Sequence, residues 1–484
     1  MEAGWGALMF RFLVVLFVAS CGFGGSIIAA ENGSAAQFVK EYQAFLGTVQ
    51  ETGVIHEFDL VAAPIQLSLG RGKPAMRWAY NGQVPGPTFR VKLGDRVKVT
   101  LTNKLPQATT IHWHGVRVPN KMDGVPFLTQ TPVQPDKKFT YDFIPQDAGT
   151  YWFHPHVRSH EQVERGLFGV LIVEDENEPD YDQDIVWVLD DILTEEDGSF
   201  VDQFSLKILD TGGRLGNILT VNGSSKPVFE VRAGERVRLR LVNVSNARNF
   251  RLSIPGLNSS IIAVDGNLVG SLQQVDTFNI VPGNRVDIDL MVPLDFDGQT
   301  IDIANTFFHR EAGGGAAEGP EVMARIAVKG QVKTVKTFLA PTRADIPDWK
   351  GALDIAPDFE FDFDTSLNFD ALWTDKGFLS FTINNKVYGD HDITALKNGR
   401  FYRMRFTNGT GLYHPVHIHG VFFKVLARDG IPVNEPYFRD TALLDYDGSL
   451  EIGIVPADLG EWLSHCHLLE HAALGMKTTI DVTE

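Results

Sequence analysis

Fourteen histidines in a 484-residue chain with only two cysteines raise the first chemical question. Ten of the histidines fall in four short runs: "HWH" (112–114), "HPH" (154–156), "HPVHIH" (414–419) and "HCHLLEH" (465–471). In extended backbone, residues two apart face the same way, so each His-x-His offers two imidazoles to one side. A single pair reads more readily as surface or satisfied histidine. Four pairs supply eight same-side imidazoles: His112, His114, His154, His156, His417, His419, His465 and His467. Clusters of that size hold transition metals, and eight donors are too many for one ion.

Cys466 lies between His465 and His467, so in extended backbone its sulfur faces away from both rings. His414, before one pair, and His471, after the cysteine, could meet it there, with Met476 five residues further on. Two histidines, one cysteine and a weak axial methionine make the blue-copper set. Zinc accepts Cys and His but gains little from a thioether. One short segment can therefore serve two metal centres, back to back.

Such a segment needs a rigid β framework, and a repeat supplies it. "GDRVKVTLTN" (94–103), "GERVRLRLVN" (234–243) and "GRFYRMRFTN" (399–408) each give a Gly, strand-like alternation and an Asn nine residues after the Gly. The first two follow "NGQVPGPTFRV" (81–91) and "NGSSKPVFEV" (222–231); the third follows "INNKVYG" (383–389). Spacings of 140 and 165 residues are too long for a solenoid. They predict an all-β chain of three β-sandwich domains of about 150 residues each. The expected boundaries are 50–174, 182–335 and 356–484. In "DFEFDFD" (358–364), Phe359, Phe361 and Phe363 share one face of a first strand and the acids share a solvated one. Residues 35–50 are expected to form a short helix, and "GGGAAEG" (313–319) a flexible loop.

The net charge of −18 argues against nucleic acid or anionic lipid as partners. Hydrophobic content of 44% is ample for packed cores, and 46 Gly with 24 Pro favour a turn-rich β protein. Arg11 and the apolar run "FLVVLFVASCGFGGSIIAA" (12–30) read as a signal peptide over 1–30, cleaved after Ala29-Ala30. The chain is then expected to be exported, periplasmic or secreted. "VASC" (18–21) gives the alternative, a lipid anchor on Cys21. No later run of about 18 apolar residues predicts a membrane span. Once the signal is removed Cys466 has no disulfide partner, and a lone thiol in an oxidising compartment must be buried or bound.

With motifs "IHWHG", "WFHPH", "HPVHIHG" and "HCHLLEHAALGM" in that order, the chain resembles the three-domain multicopper oxidases, laccase-like and of bacterial type. The resemblance covers nearly the whole mature chain and implies three consecutive cupredoxin-like Greek-key β-sandwich domains. It implies four copper ions. The type 1 ion would sit on His414, Cys466 and His471 with Met476 axial, and the type 2 ion on His112 and His417. One type 3 ion would sit on His114, His154 and His467, the other on His156, His419 and His465. A reducing substrate would lose electrons at the type 1 site. They would pass from Cys466 through His465 and His467, and dioxygen would be reduced to water. Asp123, nine residues after His114, matches an acidic position used near the cluster in the family; it reads equally as a turn residue before Gly124. Relatives with an "EHED" run carry a carboxylate after the last histidine, where this chain has Ala472, so a proton relay there is absent or moved. The donors implied are phenols and aromatic amines, with cuprous, ferrous or manganous ions as the alternative. The scattered methionines weigh against a specialised cuprous oxidase. One chain holding both ligand-bearing domains can act as a monomer. His56, His160, His309 and His391 are read as structural or surface residues, with His160 and Glu161 as candidates to line an access path.

Overall fold

The computed structural model describes residues 24–68, 74–204, 212–306, 320–368 and 378–484. Cys21, His309 and the 313–319 loop lie outside them. The described chain is built of β-strands in six sheets that stack as three sandwiches. The all-β sandwich class expected from the repeat, with the cupredoxin-like domains that the resemblance implies, is the class observed.

The repeat can be followed to individual hydrogen bonds. Its three copies form the strands Arg96–Asn103, Arg236–Asn243 and Tyr402–Asn408. Each pairs in parallel with the first strand of its own sandwich: Ile55–Leu67, Gln183–Ile192 and Phe359–Asn368. The closing asparagine does the same work each time. Asn103 Nδ2 donates to the carbonyls of Gln107 and Val133, Asn243 Nδ2 to Arg248 and Ile280, and Asn408 Nδ2 to Leu412 and Asp445. Each Oδ1 accepts the N–H two residues on. The loop leaving the strand is thus latched to a distant one, and buried backbone groups are satisfied. A second asparagine recurs in the turn before. Asn81, Asn222 and Asn384 all have φ of 53°, and their Oδ1 atoms accept the N–H groups of Val61, Val188 and Asp362. Asparagine tolerates this left-handed backbone and bonds locally there.

The histidine motifs sit on neighbouring strands within one sheet of the first sandwich and one of the third. His112–His114 pairs antiparallel with Gly149–His154, bringing His112 opposite His154. His414–Ile418 pairs with Gly460–Cys466, bringing His417 opposite His465 and Val416 opposite Cys466. Alternation sends Trp113 the other way, into an aromatic core with Tyr141, Phe143 and Phe153. In the third sandwich Phe361 and Phe363 are buried while Glu360 and Asp362 are exposed, as the alternation predicts.

The N-terminal helix differs from expectation in its bounds. It spans Gly24–Leu46 and stops at Gly47, whose φ of +66° is the left-handed conformation that ends helices. Phe38, Tyr42 and Phe45 pack into a single core shared with Trp349, Phe401 and Phe438 and with the first sandwich.

Candidate metal centre

Two groups of donors form, a smaller one inside the third sandwich and a larger one at the join between the first and third. In the smaller, Cys466 Sγ lies 3.4 Å from His414 Nδ1 and 3.7 Å from His471 Nδ1, and the two ring nitrogens are 3.1 Å apart. Met476 is fully buried, and its N–H donates to the His471 carbonyl while its own carbonyl accepts from Cys466 N. The Phe381 ring stacks on His471 at 3.8 Å between centroids, and Phe363 lies edge-on to His414 at 5.6 Å. This apolar coat pushes the thiol pKa up and lowers that of His414 to about 3. A neutral imidazole has a lone pair to offer, and a coordinated cation is what makes such a thiol a thiolate.

The larger group is a chamber of eight imidazoles. The rings of His114, His154 and His467 lie 4.9, 5.6 and 5.9 Å apart. Those of His156, His419 and His465 lie 5.0, 5.2 and 5.3 Å apart. His112 and His417 are 5.7 Å apart between the two trios. Donor nitrogens also approach within 4.8 Å across these sets, His112 with His114 and His154 and again with His156 and His419. Not every pair lies within a strand. His156, His419 and His467 fall just past strand ends, and backbone hydrogen bonds hold the last two in place, His419 N to Leu463 O and His467 N to Pro415 O.

One nitrogen of most rings is held and the other is turned inward. Nδ1 of His112, His154, His417 and His465 bonds to the carbonyls of Asp123, Pro155, Asp440 and Cys466 at 2.8–3.0 Å. His419 Nδ1 bonds to Asp123 Oδ2 at 2.9 Å. The opposite nitrogens of His112, His154 and His417 are buried with no hydrogen-bond partner among the described residues. Buried polar atoms are normally satisfied, and a set of inward lone pairs is what metal ions would complete. Burial first, and the neighbouring imidazoles second, hold His114, His154, His156, His417 and His419 well below the usual histidine range. The donor set therefore fits copper in both groups.

Asp123 stands at both places read from the sequence, beside a turn and beside the chamber. It caps the turn Asn120–Met122, and its carboxylate bridges His419, at 2.9 Å, and His112, at 3.2 Å. Ala472 is buried in the short helix Leu469–Ala473. Glu470 in that helix turns to Asn246 Nδ2 at 2.7 Å, and burial raises its carboxyl to about 7. Of the remaining histidines, His56 pairs with Asp95, His391 stacks on Tyr388, and His160 is buried with its carbonyl bonded by Asn246.

Sequence reasoning missed Asp440. Its Oδ1 lies 3.2 Å from His114 Nε2 and its carbonyl 2.8 Å from His417 Nδ1. Nothing in "YFRDTALL" marks it, because the contact spans 326 residues.

Known proteins resemble this chain over most of its length. Three family models, each described as multicopper oxidase, match residues 62–178, 188–294 and 360–484. A multicopper oxidase of Staphylococcus aureus is 30% identical over 424 residues, 84% of this chain and 83% of its own. The crystal structure of a multi-copper oxidase from Pseudomonas thermotolerans superposes with a TM-score of 0.77 at 32% identity, covering 89% of this chain and 100% of that one. A laccase-like multi-copper oxidase from Ochrobactrum, with oxidase activity towards lignin model compounds, superposes with a TM-score of 0.73 at 27% identity, covering 90% and 100%.

Proposed function

Because the chain belongs to the multicopper oxidase family, we propose that it removes single electrons from phenols and aromatic amines beside Cys466 and delivers them to dioxygen in the histidine chamber. It is a copper-dependent oxidoreductase with dioxygen as acceptor. Four coppers would be held, one by His414, Cys466, His471 and Met476. Three would be held in the chamber: one by His112 and His417, one by His114, His154 and His467, and one by His156, His419 and His465. Bound copper supplies one-electron acceptance at the cysteine and four-electron reduction of dioxygen to water at the chamber.

The observation that carries this reading is the segment His465–Cys466–His467. The sulfur points to His414 and His471 while the flanking rings point into the chamber. The two sites are joined by the covalent bonds of consecutive residues. The chain's own work is orientation: backbone carbonyls and Asp123 hold the outer ring nitrogens and aim the inner ones. His414 and His471 are fully buried, so neither ring is open to a donor in solution. Activity of the Ochrobactrum relative on lignin model compounds supports phenolic donors.

Oxygen uptake by the copper-loaded protein tests the reading, with phenols, aromatic amines and ferrous, cuprous and manganous salts compared. The highest kcat/KM is expected with a phenol. A metal salt exceeding every aromatic donor would overturn the donor class in favour of metal-ion oxidation. We propose further that the chain is exported on the strength of its N-terminal apolar run, which cell fractionation checks. No helix among the described residues is long and apolar enough to cross a membrane. Both ligand-bearing sheets come from one chain, so a monomer suffices.

A further inference from the structure

The middle sandwich supplies no histidine to the chamber among its described residues, yet it closes it. Ahead of the strand Arg285–Met291, the loop brings Gly283 against the rings, where a Cβ would lie 3.0 Å from both His114 Cε1 and His467 Cδ2. Two residues on, Arg285 is fully buried. Its Nη1 and Nη2 grip Asp440 Oδ1 and Oδ2 at 2.9 and 2.5 Å, a bidentate fork. Nε donates to Thr150 O at 3.1 Å and Nη1 also to Gly283 O at 3.0 Å. The guanidinium thus touches all three sandwiches.

The consequence falls on His114. Five other chamber rings are held at Nδ1, as described above. His114 is held at Nε2, by Asp440 Oδ1 at 3.2 Å and Thr441 Oγ1 at 3.1 Å, and its Nδ1 is the buried atom without a hydrogen-bond partner. We propose that Arg285 is a positioning residue for the chamber: by fixing the Asp440 carboxylate it holds His114 at Nε2 and leaves Nδ1 to face the metal. The inference rests on the copper-chamber reading above. A separate observation agrees with it. Gly115, the last residue of "IHWHG", stands where a Cβ would lie 2.2 Å from Arg285 Nη2 and 2.3 Å from Asp440 Oδ2. The space beside the motif is filled by this ion pair.

The test is copper content per chain together with electron paramagnetic resonance of the copper-loaded protein, for Arg285→Met, Arg285→Lys and Gly115→Ala. Arg285→Met is expected to keep the blue absorption and its resonance signal while losing at least one chamber ion. Gly115→Ala keeps both charges but forces them aside, and is expected to give the same split. Lysine offers a point charge in place of a fork, so Arg285→Lys should fall between. Wild-type copper content with an unchanged chamber spectrum in Arg285→Met would overturn the proposal. So would parallel loss of the blue and chamber signals with a lowered melting temperature, which marks a purely structural ion pair. If Arg285→Met does not fold, Gly115→Ala and Asp440→Asn decide by the same split. Wild-type protein that binds copper only beside Cys466 would sink the functional reading instead.

Discussion

Cys466 is buried among His414, His471 and the rings that coat them, an environment that opposes a charged sulfur until a cation arrives. Cys466→Ser is therefore expected to lose the blue absorption and oxidase activity while keeping chamber copper; a variant that stays blue refutes the assignment. Asp123 ties a ring of the first sandwich to one of the third, so Asp123→Asn places an amide against two ring nitrogens. Stopped-flow measurements should show the dioxygen half-reaction slowed more than reduction at the cysteine site, and equal slowing would count against a role at the chamber. Glu435 sets an acid limit. Burial raises its carboxyl, but Arg439 and Arg428 outweigh that and hold it at about 2 against an ordinary 4.5. The folded pKa is depressed, so the stabilisation is full above 4.5 and is lost as pH falls towards 2. At about 1.4 kcal/mol per unit the carboxylate contributes about 3 kcal/mol. The urea midpoint of Glu435→Gln should change less between about pH 6 and pH 3 than that of the wild type.

At the scale of elements, the repeated strand and its terminal asparagine are the unit of construction. Asn243 is fully buried and answers two carbonyls and one N–H. Leaving buried groups unanswered costs about 1–3 kcal/mol each. Asn243→Ala should lower the stability of the middle sandwich by at least about 2 kcal/mol, read from denaturant unfolding; an unchanged midpoint would show that the latch is dispensable. The same latch was legible in the sequence as an Asn at a fixed distance from a Gly, because a loop closure of one type needs one side chain. Its partners Val133, Ile280 and Asp445 were not legible, since they lie 30 to 37 residues further on.

Over the whole molecule, the chamber exists because sheets from the first and third sandwiches face each other and the second seals them. The N-terminal helix adds a strap. Tyr42 is fully buried; its hydroxyl donates to Phe422 O at 3.0 Å and accepts from Phe422 N at 3.2 Å. Truncating a buried aromatic costs about 3–5 kcal/mol. Tyr42→Ala is expected to lower the melting temperature and to speed hydrogen exchange at the Phe422 amide, with copper content unchanged. Unaltered exchange there would show that the helix is an ornament on the third sandwich.

The sequence alone determined the donor types, their pairing two residues apart and the threefold β plan, because side-chain chemistry and strand alternation act over a few residues. It was also enough to separate the Cys466 face from the His465 and His467 face. Tertiary structure decided which nitrogen of most chamber rings is held, that Asp123 bridges two sandwiches, and that Asp440 and Arg285 stand behind His114. Those contacts join residues 155 to 326 positions apart. No local pattern encodes them; they exist only once three sandwiches pack against one another and buried polar groups must find partners.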